Sequence, residues 1–174
     1  MKRKIDLWQY APQICEQTGK GILLTTKADG KVNTMTIGWG TLGIQWGKPI
    51  YTVFVRESRY TKEMLDKNGE FTINVPIETV DKSILGICGS RSGRDMDKIK
   101  ELGLTLEESN TISVPGIKEL PLTLECKVIY RNDQPLEDIP EESRLRFYKP
   151  GTANDGDFHT AYYGEITAAY ILQD

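Results

Sequence analysis

The last run of the chain, His159–Leu172, puts Tyr162, Gly164, Ile166, Ala168, Tyr170 and Leu172 on one side of an extended backbone. Pro121–Tyr130 repeats the pattern, with Leu122, Leu124, Cys126, Val128 and Tyr130 opposite Thr123, Glu125 and Lys127. A period of two held over runs this long specifies β-strands. Such strands are stable only in a sheet that buries their apolar sides. Partners are at hand in Gly21–Thr26, residues 32–40, Leu42–Gln45, Ile50–Val55 and Glu70–Val75, with turn signals at Ala28-Asp-Gly-Lys31 and Gly47-Lys-Pro49.

Helical readings are short. Trp8–Thr18 forms one, with Pro12 in its first turn. Another opens at Ser58 as N-cap, carries Tyr60, Met64 and Leu65 on one face, and stops at Asn68-Gly69. Thr79–Leu85, Met96–Leu102 and residues 140–147 follow, separated by polar loops at Cys88–Asp95 and Pro150–Asp157. Many strands with a few short helices predict a mainly β chain, a barrel with peripheral helices. The 174 residues suit one domain, 1–174, with a sizeable core.

Composition removes several function classes. A net charge of -3, with basic clusters that are short and lie beside acids, argues against nucleic acid as partner. No apolar run approaches the ~20 residues of a membrane span, and the basic N-terminus has no apolar segment after it, so no secretory signal is visible. The three cysteines are scattered and odd in number, which fits a reducing cytoplasm. One histidine and no clustered thiols leave no metal site. There is no Ser/His/Asp set, no P-loop and no GxGxxG. An enzyme built from this chain needs a cofactor for its difficult step.

Two segments supply what a flat, phosphorylated cofactor requires. Asn33-Thr-Met-Thr-Ile-Gly-Trp-Gly40 is extended and punctuated by glycine, so it offers backbone to a ring; the other reading is a barrel strand whose glycines mark a bulge. Trp39 covers the ring or belongs to the core. Arg56-Glu-Ser-Arg-Tyr-Thr-Lys62 ends a strand and opens a helix with three cations and two hydroxyls, a phosphate site or a solvated helix start. Ser90-Arg-Ser-Gly-Arg-Asp95, then Met-Asp-Lys98, is a second loop-to-helix entry; alternatively Asp95 is an N-cap and Lys98 a surface charge. His159 is the one side chain with an ordinary pKa near neutrality, and it opens the last strand. Cys88 is a redox thiol or a small buried residue.

The first two segments, one strand apart and in this order, resemble the flavin-binding segments of the flavin reductase-like family, which has an FMN-binding split β-barrel. Met35-Thr-Ile-Gly-Trp-Gly-Thr-Leu-Gly-Ile44 with Val55-Arg-Glu-Ser-Arg-Tyr-Thr61 is similar to the flavoredoxin-like branch, and the likeness runs from Gly21 to Leu172. The resemblance implies a homodimer with non-covalent FMN at the subunit interface. It implies flavin contacts from Asn33, Met35, Thr36, Ile37, Gly38 and Trp39 along the ring. Arg56, Ser58, Arg59 and Thr61 would lie at the phosphate, and Ser90, Ser92 and Lys98 would come from the second loop. In family members with the pattern Phe158-His-Thr-Ala-Tyr-Tyr-Gly-Glu165, the histidine lies near the site where nicotinamide or substrate stacks. His159 is therefore the catalytic candidate, as a positioning group or proton source.

The activity so implied is an oxidoreductase in which NADH or NADPH reduces flavin, which passes electrons to an acceptor. The alternatives are a flavoredoxin-type carrier reduced by a redox partner protein and a non-catalytic flavin-binding barrel.

Overall fold

A computed structural model describes residues 1–173. The chain begins with β1 (Lys2–Lys4), α1 (Leu7–Lys20), β2 (Ile22–Ala28), β3 (Lys31–Ile37), β4 (Gly40–Gln45), β5 (Lys48–Arg56), α2 (Tyr60–Lys67) and β6 (Glu70–Val75). It continues through α3 (Lys82–Ser90), α4 (Lys98–Glu101), β7 (Leu106–Glu107), β8 (Gly116–Ile117) and β9 (Leu122–Asp133). A 3-10 turn (Leu136–Asp138), α5 (Glu141–Phe147) and β10 (His159–Leu172) complete it. Two hairpins are dictated by their turns. Asp29 and Gly30 have φ of 50° and 75°, and Trp46 and Gly47 have 52° and 72°. Positive φ at both central residues twists a two-residue turn to match the strands it joins.

The main sheet is antiparallel, in the order β3-β2-β6-β9-β10-β5-β4, and β1 pairs with the far end of β10. The mainly β class expected from the sequence is therefore the observed one. The two ends of the path, β3 and β4, follow each other in the chain but do not pair; Gly38 and Trp39 cross the gap between them. The sheet is therefore not closed between these two strands. Strand β10 spans both halves, pairing β5 from His159 to Glu165 and β1 from Tyr170 to Leu172.

The one-sided patterns expected for β9 and β10 both fail part-way, for the same reason. Register shifts lie between Tyr163 and Gly164 and between Ile166 and Ala168, leaving Ile129 and Thr167 without an opposite residue. An extra residue turns every later side chain to the other face. Tyr130 is accordingly 45% exposed, while Val128 packs on the core. Ile166 is followed in the main core cluster by Ala169 and Ile171, while Tyr170 is buried on the other face of the strand.

The face of β9 opposite the core is dry at Thr123 and Glu125 and exposed at Lys127. Glu125 is 0% exposed. It accepts from the amides of Asn110 and Thr111, both 2.7 Å, and from the Thr111 hydroxyl at 2.6 Å. Burial raises the Glu125 pKa, but these donors outweigh it, so the carboxyl ionises below the usual glutamate range. The polar side of the strand thus anchors the loop that covers it.

Local chemistry also moves the helix boundaries. Asp6 caps α1 by accepting from the Trp8 amide at 3.0 Å, so Pro12 falls in the second turn, not the first. Asp81 caps α3 through the Ser83 amide at 2.8 Å, and Cys88–Ser90, expected as loop, become its last turn. Asp97, not Asp95, caps α4. Among the described residues, no helix is long and apolar enough to cross a membrane.

Gly164 lets the inside of the barrel close. A Cβ there would overlap the Phe71 ring edge and lie 2.9 Å from Cys126 Cβ, whereas one at Gly43 would meet nothing within 4 Å. Gly164→Ala should lower unfolding stability by about 1–3 kcal/mol through overpacking, and Gly43→Ala should stay within about 0.5 kcal/mol. Paired denaturant titrations read the difference.

Candidate functional site

Arg56 ends β5 directly opposite His159 at the start of β10. This register brings the end of β3, the start of α2, the α3–α4 loop and residues 147–159 around one trough. At one end of it, a cavity of about 90 Å³ is lined by Asn33, Met35, Ser58–Thr61, Cys88, Gly89, Arg91–Arg94 and Lys98. Its floor is fixed by the buried pair Asn33 and Thr61, with Asn33 Nδ2 donating to Thr61 Oγ1 at 3.1 Å. Gly93 presses on this pair: a Cβ there would overlap Asn33 Oδ1, which is why the loop needs glycine.

The electrostatics of this end are one-sided. Lys98 is 3% exposed, and its ammonium meets only the carbonyls of Arg91 at 3.2 Å and Cys88 at 3.5 Å. Burial holds its pKa below the usual lysine range, with Cys88 opposing that shift and Arg59 adding to it. Among the described residues, Arg59, Arg91 and Lys98 have no carboxylate within 4.0 Å, while Arg94 is spent on Glu63 and the Ser58 carbonyl. Three uncompensated cations, one of them desolvated, suit an anion.

The middle of the trough is a cavity of about 180 Å³ that shares Met35 and Arg59 with the first and adds Thr36, Ile37, Gly38, Trp39, Phe54, Arg56 and His159. Thr36 turns its hydroxyl to the Leu85 carbonyl, 2.7 Å away, and Ile37 packs into the core. A Cβ at Gly38 would meet nothing within 4 Å. Since β3 is an edge strand, bonded only to β2, the backbone at 36–38 is what this wall offers. Trp39, 41% exposed, is a wall of the cavity, with its ring centroid 5.0 Å from His159 and 4.9 Å, edge-on, from Phe147.

Two residues expected at a phosphate do other work. Arg56 donates to the carbonyls of Asp157 (3.0 Å) and Phe147 (3.1 Å), and it stacks 4.9 Å from the Tyr148 ring centre. Ser58 is not the cap of α2, whose N-cap is Arg59 with no side-chain bond. Instead, the Ser58 amide and hydroxyl both donate to the Asp157 carboxylate, at 2.9 and 2.7 Å. These contacts fasten residues 147–157 over the trough. Ser90 bonds back to the Gly86 carbonyl at 2.8 Å and lines neither cavity; Ser92 lines the first and accepts from the Arg94 amide at 3.1 Å.

His159 is not the neutral-pH titrating group that its residue type suggests. It is 6% exposed. Burial first, then the Arg56 charge, push its pKa down to about 4, against the pull of Asp157. Burial raises the Tyr148 pKa as well, so its hydroxyl keeps its proton and pairs with His159 Nδ1 at 2.5 Å, with the donor set by the imidazole tautomer. When the hydroxyl donates, the imidazole proton is on Nε2, which has no partner among the described residues. His159 is a neutral imidazole with one ring nitrogen held by Tyr148. Sequence reasoning missed Tyr148 and Asp157, yet the register was the signal: continuing Arg56↔His159 outward by two residues brings Ser58 to Asp157.

As pH falls, the unfolded chain takes up the histidine proton near 6.5 and the folded chain only near 4, so stability present above 6.5 is lost toward 4. The loss should reach about 2–3 kcal/mol by pH 4.5 and vanish from the slope in His159→Phe. Nitrogen NMR of the lone histidine should show the Nε2–H tautomer and no titration between about pH 5.5 and 8. Tyr148→Phe should mix the tautomers.

Residues 18–174 match the flavin reductase like domain family. An uncharacterized protein of Archaeoglobus fulgidus is 35% identical over 99 residues, which are 57% of this chain and 55% of that protein. The chain thus spans little more than half the length of the curated relatives it matches. Flavoredoxin from Methanosarcina acetivorans superposes with a TM-score of 0.66 at 27% identity, over 88% of this chain and 68% of its own. An FMN-binding domain of a flavin reductases-like enzyme from Shewanella baltica gives 0.68 at 21% identity, over 98% and 77%, a likeness of fold. With the family match running through every element that lines the trough, this chain belongs to the flavin reductase-like family.

Proposed function

We propose that the chain, as one domain over residues 1–174, binds FMN non-covalently in this trough and works as an NAD(P)H-dependent oxidoreductase that hands electrons to an acceptor. The observation that carries this reading is the charge pattern: uncompensated Arg59, Arg91 and Lys98 at one end, and an open backbone edge at Gly38 in the middle. The residues fit such a group. A buried ammonium that meets only carbonyls needs an anion, and glycine leaves space where a ring edge would approach.

Bound there, FMN supplies the hydride and electron chemistry that the side chains lack. The protein's own part is binding and orientation. Arg59, Arg91 and Lys98 neutralise the phosphate beside the first amides of α2. Met35 and the backbone of 36–38 hold the ring edge, and the Nε2–H of His159 donates a hydrogen bond into the middle cavity without giving up its proton. Trp39 and Phe147 keep water from that face. The charge lining the trough supports a nucleotide cofactor more than it distinguishes a nicotinamide donor from a redox partner protein. Mixing with NADH separates them, because only the reductase bleaches rapidly.

The homodimer belongs to the same proposal. Exposed Ile44 and Trp46 extend an aromatic patch in which Trp46 meets Tyr130 edge-on at 6.2 Å and Tyr130 meets Tyr163 tilted at 5.3 Å, and a symmetric partner would cover it. The cysteines are free thiols, which supports the cytoplasm as the compartment.

Arg59→Ala and Lys98→Met should each weaken FMN about 10–100-fold, as charged hydrogen bonds are worth about 1.5–3 kcal/mol. Riboflavin, which lacks the phosphate, should be far less affected, and Ser90→Ala should change neither. Flavin fluorescence quenching measures all three. Wild-type FMN affinity in both cation variants would remove this reading, and so would a colourless protein that ignores added FMN.

A further inference from the structure

Beyond Trp39 the trough opens into a third cavity of about 540 Å³, within the range of small-molecule sites. Trp39 and Phe54 line both this cavity and the middle one, so the two meet at a shared aromatic wall. Phe147 and Ile139 continue the apolar lining. No lysine or arginine lines it, but Asp133 and Asp138 do. Asp133 is fixed by the Thr160 hydroxyl at 2.7 Å. Asp138 has no side-chain partner among the described residues. The trough is therefore cationic at one end and anionic at the other, with aromatic surface between.

We propose that this third cavity binds a planar aromatic ligand that carries no negative charge. Its walls offer ring faces and edges, which favour flat apolar molecules. Its two carboxylates repel anions and attract cations. The phosphate-bearing cofactor is directed to the opposite end by the same charges. The step from binding to electron transfer rests on the FMN reading above: a ligand seated beyond Trp39 abuts the middle cavity, and the acceptor is drawn from uncharged or cationic aromatics. Binding itself does not depend on that reading.

Three redox-inert probes of one shape and different charge test it: 2-naphthalenemethanol, naphthalene-2-sulfonate and 2-naphthylmethylammonium. Each is titrated calorimetrically into FMN-loaded and FMN-free protein. The neutral and cationic probes should bind, the sulfonate at least about tenfold more weakly, and salt should shrink the charged differences while leaving the neutral probe unchanged. Asp138→Lys should reduce or reverse the preference. Ile139→Trp, which fills the cavity from a surface loop, should abolish probe binding with FMN affinity unchanged. Sulfonate binding as tight as the neutral probe overturns the proposal, as does an Ile139→Trp variant that binds all three normally. If FMN binds and no probe does, the cavity proposal alone fails. If FMN does not bind and the probes rank as expected, the flavin reading alone fails and the cavity assignment stands.

Discussion

Arg56 leaves β5 with five N–H donors and a flat cationic face, and residues 147–157 take up both. Two carbonyls accept its hydrogen bonds and the Tyr148 ring lies against it. Tyr148 is then held where its hydroxyl meets His159, and Phe147 where its edge meets Trp39. A lysine could not do this, because it lacks the planar fork that reaches two carbonyls while stacking on a ring. The walls of two cavities thus hang on one side chain at a strand end, and the antiparallel pairing of β5 with β10 is what puts it there.

The strength of this arrangement comes from partial burial. In open water an Arg-to-carbonyl contact contributes little. Under a loop it is charge-assisted and poorly hydrated, and losing it would strand two acceptors. The same low polarity deprives His159 of its charge and gives Lys98 a reason to hold an anion. Desolvation disfavours both cations; one answers by staying neutral, while the other keeps a proton that is easier to lose.

Much of this was legible in the sequence, and the illegible part has a physical pattern. Strands β6 and β10 run where alternation and punctuation placed them, since side-chain period is a local property. The bulges at Ile129 and Thr167 were not legible, because an extra residue changes neither composition nor propensity, only what stands opposite. Ser58 reads locally as a cap, and only the distant Asp157 takes its hydroxyl away. His159 reads as a titrating group because depth is set by a loop whose course no motif specifies. The glycine-punctuated segment and the basic helix entry could be found early, since each is contiguous. Tyr148 and the third cavity are assembled from pieces that only the fold brings together.

The unopposed Thr167 has one more effect. Before it, β10 serves β5 and the trough; after it, β10 serves β1 and the N-terminus. Thr167 is itself pinned, its hydroxyl donating to the Glu125 carbonyl at 3.2 Å. Fraying at Lys2–Lys4 removes partners only from Tyr170–Leu172 and leaves the pairing of His159–Glu165 with β5 in place. The alignment of the trough is thereby insulated from β1, so variation there can accumulate without reaching it.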